Sequence, residues 1–202
     1  MRIAVNTRFL IANQLEGIGK FTFETLKVMV KNNPEVEFIF CFDRPFHPQF
    51  IFAPNIKPIV INPPARHPFL WFIWFHYSLP KALKPLNIDA FLSPDGFLPL
   101  NAPFKTIAVI HDLAYLHFPK GVSWMRQQYY QYFFPKYIKQ ATKIVSVSAF
   151  TKQDIIQQYQ TSAEKIDVIH NGVSTDFKPL TPAQKEATIL KLTKGKPYFV
   201  CI

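Results

Sequence analysis

The feature that most constrains this chain is a repeated ending. Val109-Ile110-His111-Asp112, Val145-Ser146-Val147-Ser148 and Val168-Ile169-His170-Asn171-Gly172 are short β-branched runs that each stop on a small or hydrogen-bonding residue. Near-continuous apolar runs of this kind are typical of parallel strands buried on both faces, and such sheets carry their ligand-binding groups at the carboxyl ends of the strands. The polar tips should therefore share one rim and form one wall of a site.

The rest of the chain has the same strand-then-helix rhythm. Residues 2–7 read as a strand, and 19–31 as a helix with Phe23, Leu26, Met29 and Val30 on one face. Residues 36–43 form a second strand, which completes a right-handed crossover unit in outline. A third strand is expected at 56–61. A helix follows over 68–83, with Pro68 in its first turn and Pro85 just past its end. Strands are expected at 90–93 and 105–111, then a long helix from Ser123 towards Ala141 that Pro135 should kink or break. A strand at 143–147, a helix capped by Ser148 and running to Tyr159, and a strand at 165–169 complete a doubly wound parallel α/β sheet.

After residue 175 the pattern changes. Residues 175–180 read as a linker, and Thr181-Pro182-Ala183-Gln184 is a capping-box start for a short helix. The final run, Tyr198 to Ile202, is a strand signal without a partner and reads as the first strand of a second, truncated domain. The expected division is 1–175 for the main domain and 176–202 for the linker, helix and opening strand.

Composition narrows the function classes. A chain of 202 residues with 49% hydrophobic and 18% charged residues can bury a full core, so a disordered tail is not expected. Cys41 and Cys201 each sit in an apolar run and read as buried thiols in a reducing, cytoplasmic compartment. The amino terminus lacks the apolar stretch of a signal peptide, and the longest apolar run, Phe69 to Phe75, is far short of the roughly 20 residues a spanning helix needs. The formal charge of +10, from 23 Lys and Arg against 13 acids, suits anionic ligands or simple solubility. The cations are scattered and do not gather on one helix or strand pair, so no nucleic-acid partner is expected.

Gly17-Ile18-Gly19 precedes the first helix, where unpaired amides at the positive end of the macrodipole favour phosphate oxygens. A plain turn explains it equally well. A nicotinamide-dinucleotide fold is a rival, because Asp43 ends the second strand where a ribose-binding acid would sit. The nine residues Arg8 to Glu16 and the presence of Thr22 in place of the third glycine oppose it. His111 and Asp112 point to opposite faces of their strand, so they should not bond each other. His111 then reads either as a hydrogen-bond donor to a ligand or as the close of a strand. His117 and His170 add no recognised metal-ligand spacing. Arg8, at the end of the first strand, is a candidate anion contact.

Four passages together resemble the amino-terminal half of GT-B glycosyltransferases of family four, the group-one retaining enzymes. They are Ile3 to Gly19, Val109 to Leu113 with Pro119, Val145 to Thr151, and Ile166 to Val173 with Phe177 and Pro179. The resemblance implies two Rossmann-like domains facing across a cleft, with this chain as the acceptor side. It also implies transfer of a mannose- or glucose-type sugar from a nucleotide-diphosphate sugar to a glycan or lipid-linked acceptor, with retention, in surface polysaccharide synthesis. The alternative is a non-catalytic nucleotide- or sugar-binding domain.

By the same resemblance His111 contacts the donor sugar near the reacting carbon, while Gly17 and Gly19 approach the donor phosphates and the acceptor. Ser148 and Thr151 fall on a serine-rich turn, where helix capping is an equal reading. Asn171 and Gly172 fall on the loop towards the hinge. No metal or other cofactor is required. The family residues that grip the donor belong to the second domain, so the 202-residue chain alone should show no transfer.

The aromatic segment from Pro68 to Tyr77, followed by Lys81 and Lys84, reads either as core or as an acceptor or membrane-interface surface, because an aromatic helix with nearby cations suits both. The helix carrying Tyr129, Tyr130, Tyr132, Phe133 and Phe134 has the same two readings. A peripheral contact with the inner face of the membrane is thus an expectation.

Overall fold

The strands are β1 (Arg2–Asn6), β2 (Glu37–Phe42), β3 (Ile56–Val60), β4 (Ala90–Ser93), β5 (Lys105–Ile110), β6 (Lys143–Ser146) and β7 (Ile166–Val168). They form one parallel sheet in the order β3-β2-β1-β4-β5-β6-β7. The chain leaves β1 in one direction towards β3 and returns to its other side through β4, so the switch point lies between β1 and β4. There Val5 stands opposite Leu92. The computed structural model describes residues 1–173 and 178–199, in two units, Met1–His170 and Asn171–Ile202.

Alternation along the strands feeds two cores. Val5, Phe38, Phe40 and Phe42 join Leu26 and Val30 of helix α1 (Ile18–Asn32) on one face of the sheet. Ala4, Ile39, Cys41 and Phe91 point to the other face, under Trp74, Phe75, Leu79 and Tyr137. Cys41 is fully buried and free, and burial pushes its thiol pKa far up, so it is an inert packing residue. Cys201 and residues 174–177 lie outside the described residues, as does most of the expected last strand. Tyr198 and Phe199 are exposed.

The aromatic segment is not one regular helix. It runs as α2 (Pro68–Ile73), a π-helical turn Trp74–Ser78, and α3 (Leu79–Leu83). Pro80 is the physical reason: in a regular helix its ring would meet the carbonyl of His76 and it has no N–H to give. The widened turn, in which Leu79 N–H reaches Trp74 O, accommodates both. Trp71, Trp74, Phe75, Leu79 and Leu83 are buried while Phe69 and Tyr77 are exposed, so the segment is core with an aromatic outer edge.

Two short elements follow β5 and β6, namely α4 (Ala114–His117) and α6 (Ala149–Tyr159). Between them α5 (Trp124–Gln140) passes through Pro135 without interruption, so the expected break there is corrected. The missing bond and ring clash cost about 3 kcal/mol. Phe134, Tyr137 and Ile138 around the proline are buried, and at roughly 1.5–3 kcal/mol each their burial outweighs it. Ser123 occupies the N-cap of α5 but makes no side-chain cap bond. In the second unit α7 (Pro182–Thr193) starts with the expected capping box, Thr181 Oγ1 accepting from Gln184 N and Gln184 Oε1 from Thr181 N.

Two expectations for stability follow. Pro135→Ala restores one helical bond, and the protein should gain about 1–2 kcal/mol, read as a rise of a few degrees in Tm; a loss would mean that the local backbone depends on the ring. His76 is partly buried against Phe133 and meets Tyr137 Oη through Nε2 at 3.3 Å. Burial, helped by the charge of Lys136, lowers its pKa from 6.5 to about 4. The unfolded chain therefore takes up a proton first as pH falls, and stability should decline between pH 6.5 and 4. The decline should be about 1–2 kcal/mol, less than the full shift because the ring is partly hydrated. Urea midpoints for wild type and His76→Phe at pH 7 and 4.5 isolate this part; equal declines in both proteins would refute it.

Candidate functional site

The tips of β1 and β4 are fastened by one carboxylate. Asp95 Oδ1 accepts from Asn6 Nδ2 (2.8 Å), Ser93 Oγ (2.8 Å) and Phe97 N (3.3 Å). Arg8 Nε donates to Asp95 Oδ2 at 2.6 Å, and both side chains are almost fully buried. The guanidinium carbon lies 4.3 Å from the centre of Phe97, 4.7 Å from Phe9 and 5.4 Å from both Trp71 and Phe75. Aromatic faces and a full set of donors compensate two charges removed from water.

His111 follows β5 directly. Its Nε2 lies 2.8 Å from Pro94 O, which ties the tip of β5 to that of β4. A carbonyl can only accept, so Nε2 carries the proton, and in the neutral ring Nδ1 is left as an acceptor. His111 thus donates to a ligand from Nδ1 only when protonated. Behind it, Thr151 Oγ1 donates to His111 O (3.1 Å). Ser148 Oγ accepts from Thr151 N (3.0 Å), so Ser148 is the N-cap of α6 and its helix steadies the His111 backbone. Asp112 Oδ1 accepts from Ala114 N at the start of α4 and does not pair with His111, as expected.

The glycine turn meets this rim. Gly17 has φ +47°, which a side chain rarely adopts, and a Cβ on Gly19 would lie 2.6 Å from Phe9 O. Two residues on, Phe21 meets the His111 ring edge-on at 4.8 Å. Arg8, Ile18, Trp71, Phe97, His111 and Tyr130 are among the residues around a cleft of about 480 Å³ in the first unit. The imidazole and Ile18 of the glycine turn therefore line one cleft, while Gly17 and Gly19 flank Ile18 without lining the cleft. Arg8 lines it too, already paired.

The other sequence candidates fall elsewhere. Of the three tips expected to converge, only Val109–Asp112 lines the cleft, while the second serves through Ser148 as a helix cap. Asn171 and Gly172 are exposed and open the second unit. Asp43 is sealed: Arg44 Nε and Nη2 hold its two oxygens and Ala65 N donates to Oδ2, which leaves nothing for a ribose. His117 Nε2 meets Asp154 Oδ2 at 2.7 Å. Among the described residues no cluster of three His, Cys, Asp or Glu could hold a metal, and no helix is long and apolar enough to cross a membrane. Asp95, Trp71, Phe97 and Arg126 were not singled out as site residues from the sequence. Asp95 carried the same signal as the other tips, a short apolar strand ending in Ser93-Pro94-Asp95.

The seven-stranded parallel α/β sheet is the Rossmann-like fold found in the GT-B class of glycosyltransferases. Over 95% of this chain and 50% of the other, the structure resembles Anabaena Alr3699/HepE solved with UDP and glucose, with a TM-score of 0.59 at 13% identity. It also resembles the lipopolysaccharide outer core galactosyltransferase WaaB in its apo form, with a TM-score of 0.56 at 16% identity over 86% of this chain and 46% of that one. The chain belongs to glycosyltransferase family 4, whose model matches residues 15–177. It is 25% identical over 148 residues to the O-antigen chain mannosyltransferase RfbU of Salmonella typhimurium, covering 72% of this chain and 40% of that protein. The chain thus spans about half the length of these relatives or less.

Breaking the buried pair from one side should be costly. Arg8→Met or Asp95→Asn is expected to lower unfolding free energy by about 3–5 kcal/mol, whereas the combined Arg8→Met, Asp95→Leu variant should lose clearly less than the sum. A urea-unfolding double-mutant cycle measures the coupling; simple additivity would show that the two charges do not support each other.

Proposed function

We propose that this chain is the acceptor-side half of a retaining glycosyltransferase that moves a mannose- or glucose-type sugar from a nucleotide-diphosphate donor to a glycan or lipid-linked acceptor in surface polysaccharide synthesis. The observation that carries the reading is the cleft shared by His111 and Ile18 of the Gly17-Ile18-Gly19 turn, beside the switch point of the sheet. Family membership and a mannosyltransferase relative support the transfer class and the choice of sugar.

In this reading the donor is held mainly by a second domain, and the chain contributes a wall that positions and stabilises charge. His111 faces the sugar near its reacting carbon, with Nδ1 accepting from a hydroxyl in the neutral ring. Gly17 and Gly19 shape the turn that presents the start of α1 to phosphate or acceptor oxygens. Arg8 acts through its pair with Asp95, Ser148 steadies the His111 backbone, and Asn171 and Gly172 shape the passage to the second domain. The departing diphosphate accepts the acceptor's proton, so no metal is assigned. Tyr130, half-buried on the cleft, offers a ring edge to a sugar.

The enzyme works in the cytoplasm at the inner face of the membrane. Supporting that, Phe69, Tyr77, Phe118 and Trp124 are exposed and Lys81, Lys84 and Lys120 accompany them, a combination suited to an anionic bilayer interface.

The test uses the full-length natural protein with a panel of nucleotide sugars and acceptors. Retention of configuration in the product is expected, with His111→Ala lowering kcat by about 10²–10³-fold, far more than the modest fall in Tm expected from losing its bond to Pro94 O accounts for. The 202-residue chain alone should bind nucleotide sugars weakly and transfer none. Binding by the full-length protein without turnover of any donor would instead favour a non-catalytic sugar- or nucleotide-binding role.

A further inference from the structure

Charge around the cleft is unevenly matched. Asp95 is engaged by Arg8 and Asp43 by Arg44, which cancels two of the four arginines that line it, and among the described residues Asp112 is the one further carboxylate on the lining against the other two. The other two, Arg66 and Arg126, are exposed to the cleft, and among the described residues neither is in an ion pair. Trp71 links them: its Nε1 donates to Ala65 O, next to Arg66, and the Arg126 guanidinium lies over its ring at 5.8 Å.

The helix itself does not favour Arg126 where it stands, and its contact with the Trp71 ring is the only stabilising one seen among the described residues. Arg126 is the third residue of α5, and a cation in the first turn opposes the helix macrodipole. Two guanidiniums at the mouth of an apolar-walled cleft create a focused positive potential that costs folding energy and is relieved by an anion. Local rules broken for little structural gain are expected at functional positions.

We propose that Arg66 and Arg126 form a clamp for an acidic group, phosphate or carboxylate, on the acceptor. This rests on the acceptor-side reading above and narrows it: the acceptor is anionic, and these two residues determine that specificity. Forked guanidinium donors suit the planar or tetrahedral oxygen pairs of such groups.

The experiment titrates the 202-residue chain with inorganic pyrophosphate, decyl phosphate, galacturonic acid and neutral methyl glucoside, read by tryptophan fluorescence. Wild type should bind the anions at least about tenfold tighter than the neutral sugar. Arg66→Gln and Arg126→Gln should each weaken anion binding by about tenfold, with partial recovery in Arg126→Lys. Lys31→Gln, which removes one charge at the opposite edge of the sheet, should change nothing. Tighter binding of decyl phosphate than of pyrophosphate identifies a lipid-linked source, and the reverse a free sugar phosphate; a preference for galacturonic acid identifies a carboxylate.

Anion binding that survives both Gln substitutions in a folded double variant, or that falls equally in Lys31→Gln, would overturn the clamp. The full-length enzyme separates this from the broader reading. Transfer to neutral acceptors that ignores both arginines would overturn the clamp and leave the transferase reading intact. Arginine-dependent anion binding without any transfer would keep the clamp and overturn the reading.

Discussion

The buried Arg8–Asp95 pair is the interaction on which the cleft depends. Parallel strands have no hairpin to hold neighbouring tips together, so the carboxyl edge needs side chains to keep it from splaying. Asp95 does this at the switch point, gathering Asn6 from β1, Ser93 from β4 and the backbone of Phe97. Arg8 then supplies the opposite charge and a flat surface for Phe97, Trp71 and Phe75. A carboxylate this dry is tolerable only because each of its oxygens is engaged, and that full engagement also fixes the cleft floor.

The π turn explains how one aromatic segment serves two surroundings. A regular helix advances about 100° per residue, so rings around its whole circumference would leave several in water. One extra residue in the Trp74–Ser78 turn shifts the face that follows. Trp71 thereby stays beside Arg8 at the cleft while Trp74, Phe75 and Leu79 remain in the core. Trp74 Nε1 donates to Ile61 O and Trp71 Nε1 to Ala65 O, so both indoles also staple the loop after β3.

What the sequence made legible is what local pattern determines. The alternation of strands and helices, the parallel sheet, the caps at Ser148 and Thr181 and the burial of Cys41 all follow from runs of a few residues. Pro135 misled because its cost is local while the burial that outweighs it comes from across the domain. Asp95 was passed over because its meaning lies in Arg8, 87 residues away. The same holds for Arg66 and Arg126: composition counts cations, but only tertiary contacts reveal which of them lack an acid. Gly19 shows the intermediate case, since its glycine signal was visible and its cause, the nearby Phe9 carbonyl, was not.

These commitments leave little free polar chemistry on the cleft. Asp95 and Asp43 have both oxygens engaged, and His111 has Nε2 on Pro94 O. Asp112 uses Oδ1 at the start of α4. Among the described residues, the carboxylate and imidazole proton acceptors left around the cleft are therefore His111 Nδ1 and Asp112 Oδ2. They sit on consecutive residues just past the β5 tip, and Asp112 is tied to Ala114 N and not to the imidazole, so the two are not arranged as a base and its orienting partner. A wall of this kind, with most of its carboxylate oxygens committed and two of its guanidiniums outside any described ion pair, is suited to holding a ligand and shaping the field around it more than to proton transfer.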